Sequence, residues 1–188
     1  LVGVAAERIW LSTFHSFCAK LLRFEIDGFL GYTKNFTIYD SSDQVTLMKS
    51  CLKELNLDDK QFPPRTVLGT VSSAKNALLR ADEFAKSADD FYTLKVSEAY
   101  TLYEKKLKDN NAVDFDDLLL LTVKLLQERQ DIREKYQERF RYILVDEYQD
   151  TNKAQYLLTQ ILAAKWRNIC VVGDADQSIY AWRGADIQ

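Results

Sequence analysis

The segment RYILVDEYQDTN, residues 141–152, ends a short apolar run with two adjacent carboxylates, Asp146 and Glu147. In a parallel sheet, ligands bind beyond the carboxyl ends of the strands, where these two acids are expected to lie. Phosphate hydrolysis requires one carboxylate that holds Mg²⁺ and a neighbour that orients and deprotonates water. The order of the residues favours Asp146 as the metal residue and Glu147 as the general base. A strand-end acid that merely caps the next helix is the alternative, and this segment alone does not separate the two.

A second segment, VVGDADQSIYAWRGAD at residues 171–186, also follows an apolar run with a glycine and acids. Gln177 can hydrogen-bond to a phosphate. Tyr180, Trp182 and Arg183 combine aromatic and guanidinium groups that can stack on unpaired bases, a contact worth about 1–3 kcal/mol per base. Packing in a hydrophobic core is the other common fate of two large rings at alternate positions of a strand. The segment alone leaves both roles open for the rings.

Two strands and an intervening helix must position these residues. The run 142–145 predicts the first strand, and the apolar residues within 168–173 predict the second. Between them, apolar residues recur at helical spacing: Ala154, Leu157, Leu158 and Ile161. A strand, a helix and a strand with a connection of this length predict a parallel pair. Both acidic segments are therefore expected at one edge of the sheet.

The start of the chain shows a similar unit in the stretch RIWLSTFHSFCAKLLRFEI. Residues 9–11 predict a short strand, and Ser12 or Thr13 can cap a helix that follows. The face of that helix expected to be buried comprises Phe17, Leu21 and Phe24.

The middle of the chain, from about residue 33 to 138, has helical patterns throughout and predicts an all-helical subdomain. Asp40 is one of the residues that can cap its helices. Asp114 can cap a later helix, with Asp116 and Asp117 in the first turn, where acids are favourable against the helix dipole. Helix capping is accordingly the main role expected for these three acids.

The simplest architecture is a parallel α/β core made from both ends of the chain, with a helical subdomain inserted between its strands. The predicted boundaries are 1–32 for the first part of the core, 33–138 for the insert and 139–188 for the return to the core.

Composition restricts the functional class only weakly. The chain has 188 residues and a formal net charge of −3, which gives no electrostatic reason to expect a sequence-independent grip on nucleic acid. It has three cysteines and one histidine, and without CxxC spacing they predict buried thiols in a reducing compartment rather than a zinc site. No apolar run approaches the roughly 20 residues of a membrane helix. Because the chain begins at Leu1 rather than Met, we expect a piece of a longer protein.

Three motifs carry a resemblance to a known family. VDEYQDTN and VVGDADQSIYAWRGAD resemble motifs II and III of the superfamily 1A DNA helicases of the UvrD, Rep and PcrA group. STFHSFCAKLLR resembles the TFHS motif of the same proteins, and the three occur in the family's order. The resemblance implies an incomplete RecA-like core of the P-loop NTPase type, with the helical insert as subdomain 1B. It also implies a fragment of an ATP-dependent 3′–5′ DNA helicase or translocase that uses ATP and Mg²⁺ and acts in repair or replication.

The resemblance assigns roles to individual residues. At the nucleotide, it implies that Asp146 coordinates Mg²⁺, Glu147 activates water and Gln177 senses the γ-phosphate. On single-stranded DNA, it implies stacking by Tyr180 and Trp182 and contacts along the strand by Thr13, Phe14, His15 and Ser16. Coupling between the two sites is implied for Gln149, Asp150 and Arg183. His15, as a lone histidine, would otherwise be expected to pack in a core.

The chain also departs from the family pattern. It contains no GxxxxGK[ST] motif and ends at Gln188, so the phosphate-cradling loop and second motor domain are missing from these 188 residues. We therefore expect the fragment alone to be inactive as an ATPase. The motor subunit of a helicase-nuclease and a non-catalytic module that binds DNA or a partner remain alternatives. The expected partners are single-stranded DNA, single/double-strand junctions and repair or replication proteins, with no membrane, in the cytoplasm.

Overall fold

A computed structural model describes residues 9–174 as a mixed α/β structure that is mostly helical. Its helices are α1 (Phe14–Glu25), α2 (Ser41–Glu54), α3 (Pro64–Asn76), α4 (Ala81–Ala85), α5 (Phe91–Asp109), α6 (Phe115–Glu128), α7 (Gln130–Arg139) and α8 (Lys153–Ala163). Its strands are β1 (Thr37–Ile38), β2 (Ala112–Val113), β3 (Ile143–Val145) and β4 (Ile169–Val171). Single 3₁₀ turns occupy Phe29–Gly31 and Tyr148–Asp150.

Strands β3 and β4 form the parallel pair that the sequence predicted. Val145 lies opposite Val171 in the register, and α8 forms the crossover between the strands. The face of α8 follows the predicted pattern, because Ala154 and Leu158 are buried. The carboxyl ends of both strands therefore lie at the same edge, as expected for a parallel pair.

A second parallel pair shows that the middle of the chain is not all-helical. Thr37 lies opposite Ala112 and Ile38 opposite Val113, and Tyr39 extends the ladder by donating from its backbone N–H to the Val113 carbonyl at 2.8 Å. Strands of two residues are too short to show the alternation by which a strand is recognised. The prediction of an all-helical segment from 33 to 138 was wrong for this reason.

The predicted strand at residues 9–11 was also wrong. These residues form no strand in the described chain, and Leu11 is 93% exposed. Trp10 instead packs against the rings of Phe17 and Phe140, with centroids 5.3 and 5.4 Å away. An apolar run of three residues can be used for side-chain packing as well as for a ladder.

The predicted helix starts are confirmed, whereas one predicted core residue is not. Asp40 and Asp114 both cap helices with reciprocal capping boxes, and Thr13 caps α1. Leu21 is fully buried as predicted, but Phe24 is 66% exposed. The buried face of α1 comprises Cys18, Leu21 and Leu22 and continues to Ile26, so Phe24 lies on the opposite side of the helix.

Two hydrophobic clusters divide the described residues. The first joins α1, α6, α7 and α8, and its largest buried members include Leu22, Phe36 and Tyr136. The second joins α2, α3, α4 and α5 around Met48 and Tyr100. Helix α6 packs against α1 and α8 and also against α3, so it connects the two clusters.

Two of the three cysteines are buried as expected, and the third is not. Burial raises the pKa of the Cys18 thiol to about 12 and that of the Cys51 thiol to about 11. Cys170 lies exposed on β4, which corrects the prediction of three buried thiols. Among residues 9–174, no helix combines the length and the apolar character needed to cross a bilayer.

Candidate functional site

The ends of β3 and β4 gather polar residues in one place. Asp146 and Glu147 follow β3 directly and are exposed. The backbone N–H of Tyr148 donates to the Val172 carbonyl at 2.9 Å, so the chain after β3 remains paired with the chain after β4. This pairing holds the two polar segments side by side.

Gln149 joins the two segments through its side chain. Its Nε2 donates to Oε2 of Glu147 at 2.6 Å, and its Oε1 accepts from the backbone N–H of Asp174 at 3.0 Å. Gly173 permits this approach, because a Cβ atom built on it would lie 2.5 Å from the same Oε1. The amide of Gln149 therefore fixes Glu147 relative to the end of β4.

The backbone of Glu147 adopts the left-handed conformation, with φ 50° and ψ 43°. A non-glycine residue in this region carries a cost of order 1–3 kcal/mol. The conformation turns the chain from β3 into the 3₁₀ turn Tyr148–Asp150 and leaves the Glu147 side chain at the strand end. The alternative role for the acids, capping α8, is not observed, because Asn152 caps that helix.

The carboxylates fit a Mg²⁺ ion of the kind that is shared with a phosphate ligand. Oδ1 of Asp146 accepts from the Glu147 N–H at 3.0 Å, and its Oδ2 accepts no hydrogen bond from residues 9–174. Mg²⁺ is usually held by one or two carboxylates, waters and substrate phosphates rather than by an all-protein cage. Residues 9–174 contain no group of three or more His, Cys, Asp or Glu side chains that could hold a metal ion by themselves. Oδ1 of Asp150 is buried without a hydrogen-bond partner in the described chain, which leaves a second acceptor beside the site.

The TFHS residues lie together at the start of α1. Thr13 caps the helix, and its hydroxyl donates to Oγ of Ser16 at 3.0 Å. Ser16 is exposed, while Phe14 and His15 are half-buried. No hydrogen bond or ring contact among residues 9–174 joins these four residues directly to Asp146 or Glu147.

His15 faces α6 rather than open solvent alone. Its ring meets that of Phe115 edge-on at 6.1 Å. Desolvation lowers the pKa of His15, and the nearby carboxylate of Asp116 only partly opposes this effect. The imidazole is therefore neutral at neutral pH and is better suited to hydrogen bonding than to ion pairing.

A chain of side-chain amides links α6, α3 and α8. Nδ2 of Asn76 donates to Oδ1 of Asp116 at 3.1 Å. Oδ1 of Asn76 accepts from Nδ2 of Asn152 at 2.6 Å, and Asn152 is the residue that caps α8. The helix that follows the Asp146 and Glu147 segment is thus tied to both clusters.

The acids at the start of α6 do more than cap the helix. Nζ of Lys75 lies 2.7 Å from Oδ2 of Asp114 and 2.7 Å from Oδ1 of Asp117. Burial is the main cause that raises the pKa of Asp117, followed by the charge of Asp114, which Lys75 offsets in part. Desolvation lowers the pKa of Lys75, but the two carboxylates outweigh it and hold the pKa well above the ordinary value. The carboxylates of Asp114 and Asp117 are therefore paired with Lys75 inside the protein and are not available to a ligand.

The structure places some of the predicted site residues and leaves others outside the described range. Asp146, Glu147, Gln149 and Asp150 lie together, and the TFHS residues form a separate group on α1. The remaining predicted residues lie outside residues 9–174: Gln177, Tyr180, Trp182 and Arg183. Sequence reasoning missed the amide link, whose only sequence signal was a capping residue, Asn152, at the start of a predicted helix.

Comparison with known proteins matches the whole chain. Residues 1–188 match the family described as the UvrD/REP helicase N-terminal domain. An ATP-dependent DNA helicase PcrA of Bacillus subtilis is 53% identical over 187 residues, which is 100% of this chain and 25% of the relative. ATP-dependent DNA helicases PcrA of Staphylococcus aureus and Staphylococcus epidermidis are each 50% identical over 188 residues, again 100% of this chain and 26% of each relative. The chain spans about a quarter of the length of these curated relatives.

Proposed function

The chain belongs to the UvrD/REP helicase N-terminal domain family, and from this membership we propose that it is the part of an ATP-dependent DNA helicase that hydrolyses Mg-ATP and contacts single-stranded DNA. For the whole protein, we propose 3′–5′ translocation along single-stranded DNA with unwinding at single/double-strand junctions. The process is DNA repair or replication in the cytoplasm, together with protein partners from those processes. The relatives are named ATP-dependent DNA helicases, which supports the nucleotide and the DNA as ligands.

The observation that carries this proposal is the carboxylate pair at the end of a parallel strand, fixed by Gln149 to the next strand. Position beyond the carboxyl ends of parallel strands is where ligands bind in α/β proteins. Asn152 supplies the cap of α8, which supports a role other than capping for the two acids.

We assign separate roles to the two carboxylates. Asp146 would hold the magnesium ion, since only one of its carboxylate oxygens accepts the Glu147 N–H. Bound Mg²⁺ supplies charge neutralisation at the phosphates. Glu147 accepts the proton of the attacking water, and Gln149 orients it through the 2.6 Å hydrogen bond. Gln177 is proposed to contact the γ-phosphate.

Coupling between nucleotide and DNA is assigned to the residues next to this pair. Gln149 contacts both strand ends, so a shift of Glu147 during the reaction is transmitted to the segment after β4. Asp150 presents a buried carboxylate oxygen without a partner in the described chain, which suits an exchange of hydrogen bonds between states. Arg183 is proposed as the residue that receives this signal.

DNA contacts are assigned to two groups. Thr13 and Ser16 present hydroxyls at the start of α1, where a phosphate is favourable. The neutral imidazole of His15 and the ring of Phe14 lie beside them. Tyr180 and Trp182 are proposed to stack on bases.

The proposed architecture is a RecA-like core, incomplete in these 188 residues, with residues 33–138 as an inserted subdomain between 1–32 and 139–188. The boundaries stay a prediction. Ile143 of β3 packs against the cluster that joins α1, α6, α7 and α8. Because no GxxxxGK[ST] motif is present in the chain, we propose that the 188 residues alone do not hydrolyse ATP.

The test is Glu147→Gln in a protein of the relatives' full length that carries this segment. We expect nucleotide binding to persist and turnover to fall about 10²- to 10⁴-fold, the usual contribution of a general base. Glu128→Gln changes the same group on an exposed helix end and is the matched control. Unchanged turnover in the Glu147 variant would remove that residue from the role of base.

A second measurement uses the 188-residue chain itself. ATP hydrolysis with and without single-stranded DNA should not exceed that of the chain carrying Glu147→Gln. DNA-stimulated hydrolysis above this blank would show that a phosphate cradle exists within these residues.

A further inference from the structure

Trp10 carries two cationic side chains that have no carboxylate partner in the described chain. Nζ of Lys20 lies 4.4 Å from the Trp10 ring centroid, and Cζ of Arg139 lies 4.9 Å from it. Among residues 9–174, neither cation forms a salt bridge. Two like charges on one ring repel each other, and each exposed cation–π contact is worth only about 0.5–1 kcal/mol.

A similar arrangement of two cations on a tryptophan ring occurs at Trp166, but there a carboxylate accompanies the cations. Trp166 also carries two cations, with Cζ of Arg141 at 4.9 Å and Nζ of Lys165 at 5.4 Å from its centroid. There, the carboxylate of Glu138 forms a salt bridge to both cations. At Trp10 no residue of the described chain takes the place of Glu138. With respect to residues 9–174, the two cations at Trp10 are therefore left open to an anionic ligand.

The surroundings of Trp10 suit a phosphate. The two cations border an open cleft of about 290 Å³ that Ser12 and Ser16 also line. Ser16 and Lys20 lie four residues apart on α1, so their side chains share one face of the helix. Ser16 in turn bonds to the Thr13 hydroxyl. The row from Thr13 through Ser16 to Lys20 continues the TFHS residues away from the helix start.

We propose that Lys20 and Arg139, held on Trp10 and flanked by Ser16, bind a backbone phosphate of single-stranded DNA adjacent to the TFHS residues. This inference rests on the proposed DNA-binding function and extends it to residues that the motif does not contain. The occupant is a phosphodiester in a strand rather than a free phosphate, because the site continues a row of hydroxyls and has no enclosing wall.

The test measures binding of a fluorescently labelled oligothymidylate to the 188-residue chain by anisotropy over a series of salt concentrations. Lys20→Ala and Arg139→Ala should each lower the magnitude of the slope of log K against log[salt] by about 0.7, the value for one phosphate of a single strand. At roughly 0.1 M salt this corresponds to about fivefold weaker binding. Lys20→Arg keeps the charge and should retain the slope.

Lys165→Ala is the matched control, because it removes a cation from Trp166 whose anion is already supplied by Glu138. It should leave both affinity and slope unchanged. Thermal unfolding of each variant shows whether the fold is retained, and the Lys20→Arg comparison separates charge from packing.

The outcomes separate this inference from the proposed function. Wild-type slopes in both alanine variants would overturn the phosphate site while leaving DNA binding by the chain intact. Displacement of the strand by inorganic phosphate at an equal phosphate concentration would assign the site to a free anion and also overturn it. If the wild-type chain bound no strand, the inference would fall, whereas the turnover test of Glu147 would still decide the proposed hydrolysis.

Discussion

Removal of the Lys75 side-chain charge is expected to be among the most damaging single changes in the described chain. Lys75 is fully buried, and its Nζ lies 2.7 Å from both Asp114 and Asp117. The Tyr103 hydroxyl donates to the same Oδ2 of Asp114 at 3.1 Å, and the rings of Tyr100 and Tyr103 lie 5.9 and 5.3 Å from Nζ. Asp114 and Asp117 are buried as well, so water cannot solvate their charges if the cation is lost.

The magnitude follows from the burial of all three charged groups. Lys75→Met preserves most of the aliphatic volume but leaves two neighbouring buried carboxylates without their cation. Breaking a buried pair by removing one partner costs about 3–5 kcal/mol, against a total stability of about 5–15 kcal/mol for an ordinary domain. Because protonation relieves the two acids, the loss should be larger above neutral pH than below it.

Urea unfolding at a mildly alkaline pH measures this loss directly. Lys95→Met removes a partly exposed lysine that pairs with Glu98 and should cost less than about 1 kcal/mol. Adding Asp117→Asn to the Lys75 variant should recover part of the stability, because one buried charge is removed. A Lys75→Met variant within about 1 kcal/mol of wild type would refute the reasoning, since buried uncompensated charge cannot be that inexpensive.

Two further predictions concern the same polar interior. Burial and the charge of Asp114 raise the folded-state pKa of Asp117 to about 7 from the ordinary 3.8. Between these two pH values the folded chain therefore binds a proton that the unfolded chain does not. The contribution of this carboxyl to the free energy of unfolding falls as the pH rises through that interval. Asp117→Asn should therefore flatten that part of the pH dependence when the free energy of unfolding is compared at about pH 5 and about pH 8; an unchanged slope would contradict the shift. Asn76→Ala removes the donor to Asp116 and the acceptor for Asn152. It should cost about 1–3 kcal/mol in urea unfolding, because a half-buried carboxylate and a half-buried amide each lose a partner. Wild-type stability would show that the amide link contributes nothing.

The parts of the fold that the sequence predicted are those set by local chemistry. Asp40 and Asp114 cap helices because a carboxylate placed before an amphipathic run satisfies free backbone N–H groups, which needs no distant partner. The parallel β3–β4 pair was predictable because the connection through α8 leaves few other topologies. The position of Asp146 and Glu147 at the carboxyl end of β3 followed from that topology.

The parts that were missed depend on distant partners. Strands β1 and β2 pair across more than seventy positions with only two residues each, too few for a periodic signal. Residues 9–11 have the composition of a strand, but Trp10 packs on Phe17 and Phe140. Lys75 meets Asp114 across 39 positions, and nothing in its local sequence distinguishes it from a surface lysine.

The two acidic segments of the chain show why a carboxylate motif needs its structural context before it is given a function. In the stretch from Asp114 to Asp117, Asp114 and Asp117 are buried against Lys75, and the half-buried Asp116 accepts a hydrogen bond from Asn76. At Asp146 and Glu147 the acids are exposed at a strand end, and the only side-chain partner of Glu147 among the described residues is an amide. A carboxylate that binds a metal or accepts a proton needs an oxygen that is not already engaged by another group of the protein. The amide link through Asn152 and Asn76 ties α8, the helix that follows the exposed acids, to Asp116 in the other acidic stretch. The proposed site is thereby held next to a helix whose start is fixed by hydrogen bonds to two other helices.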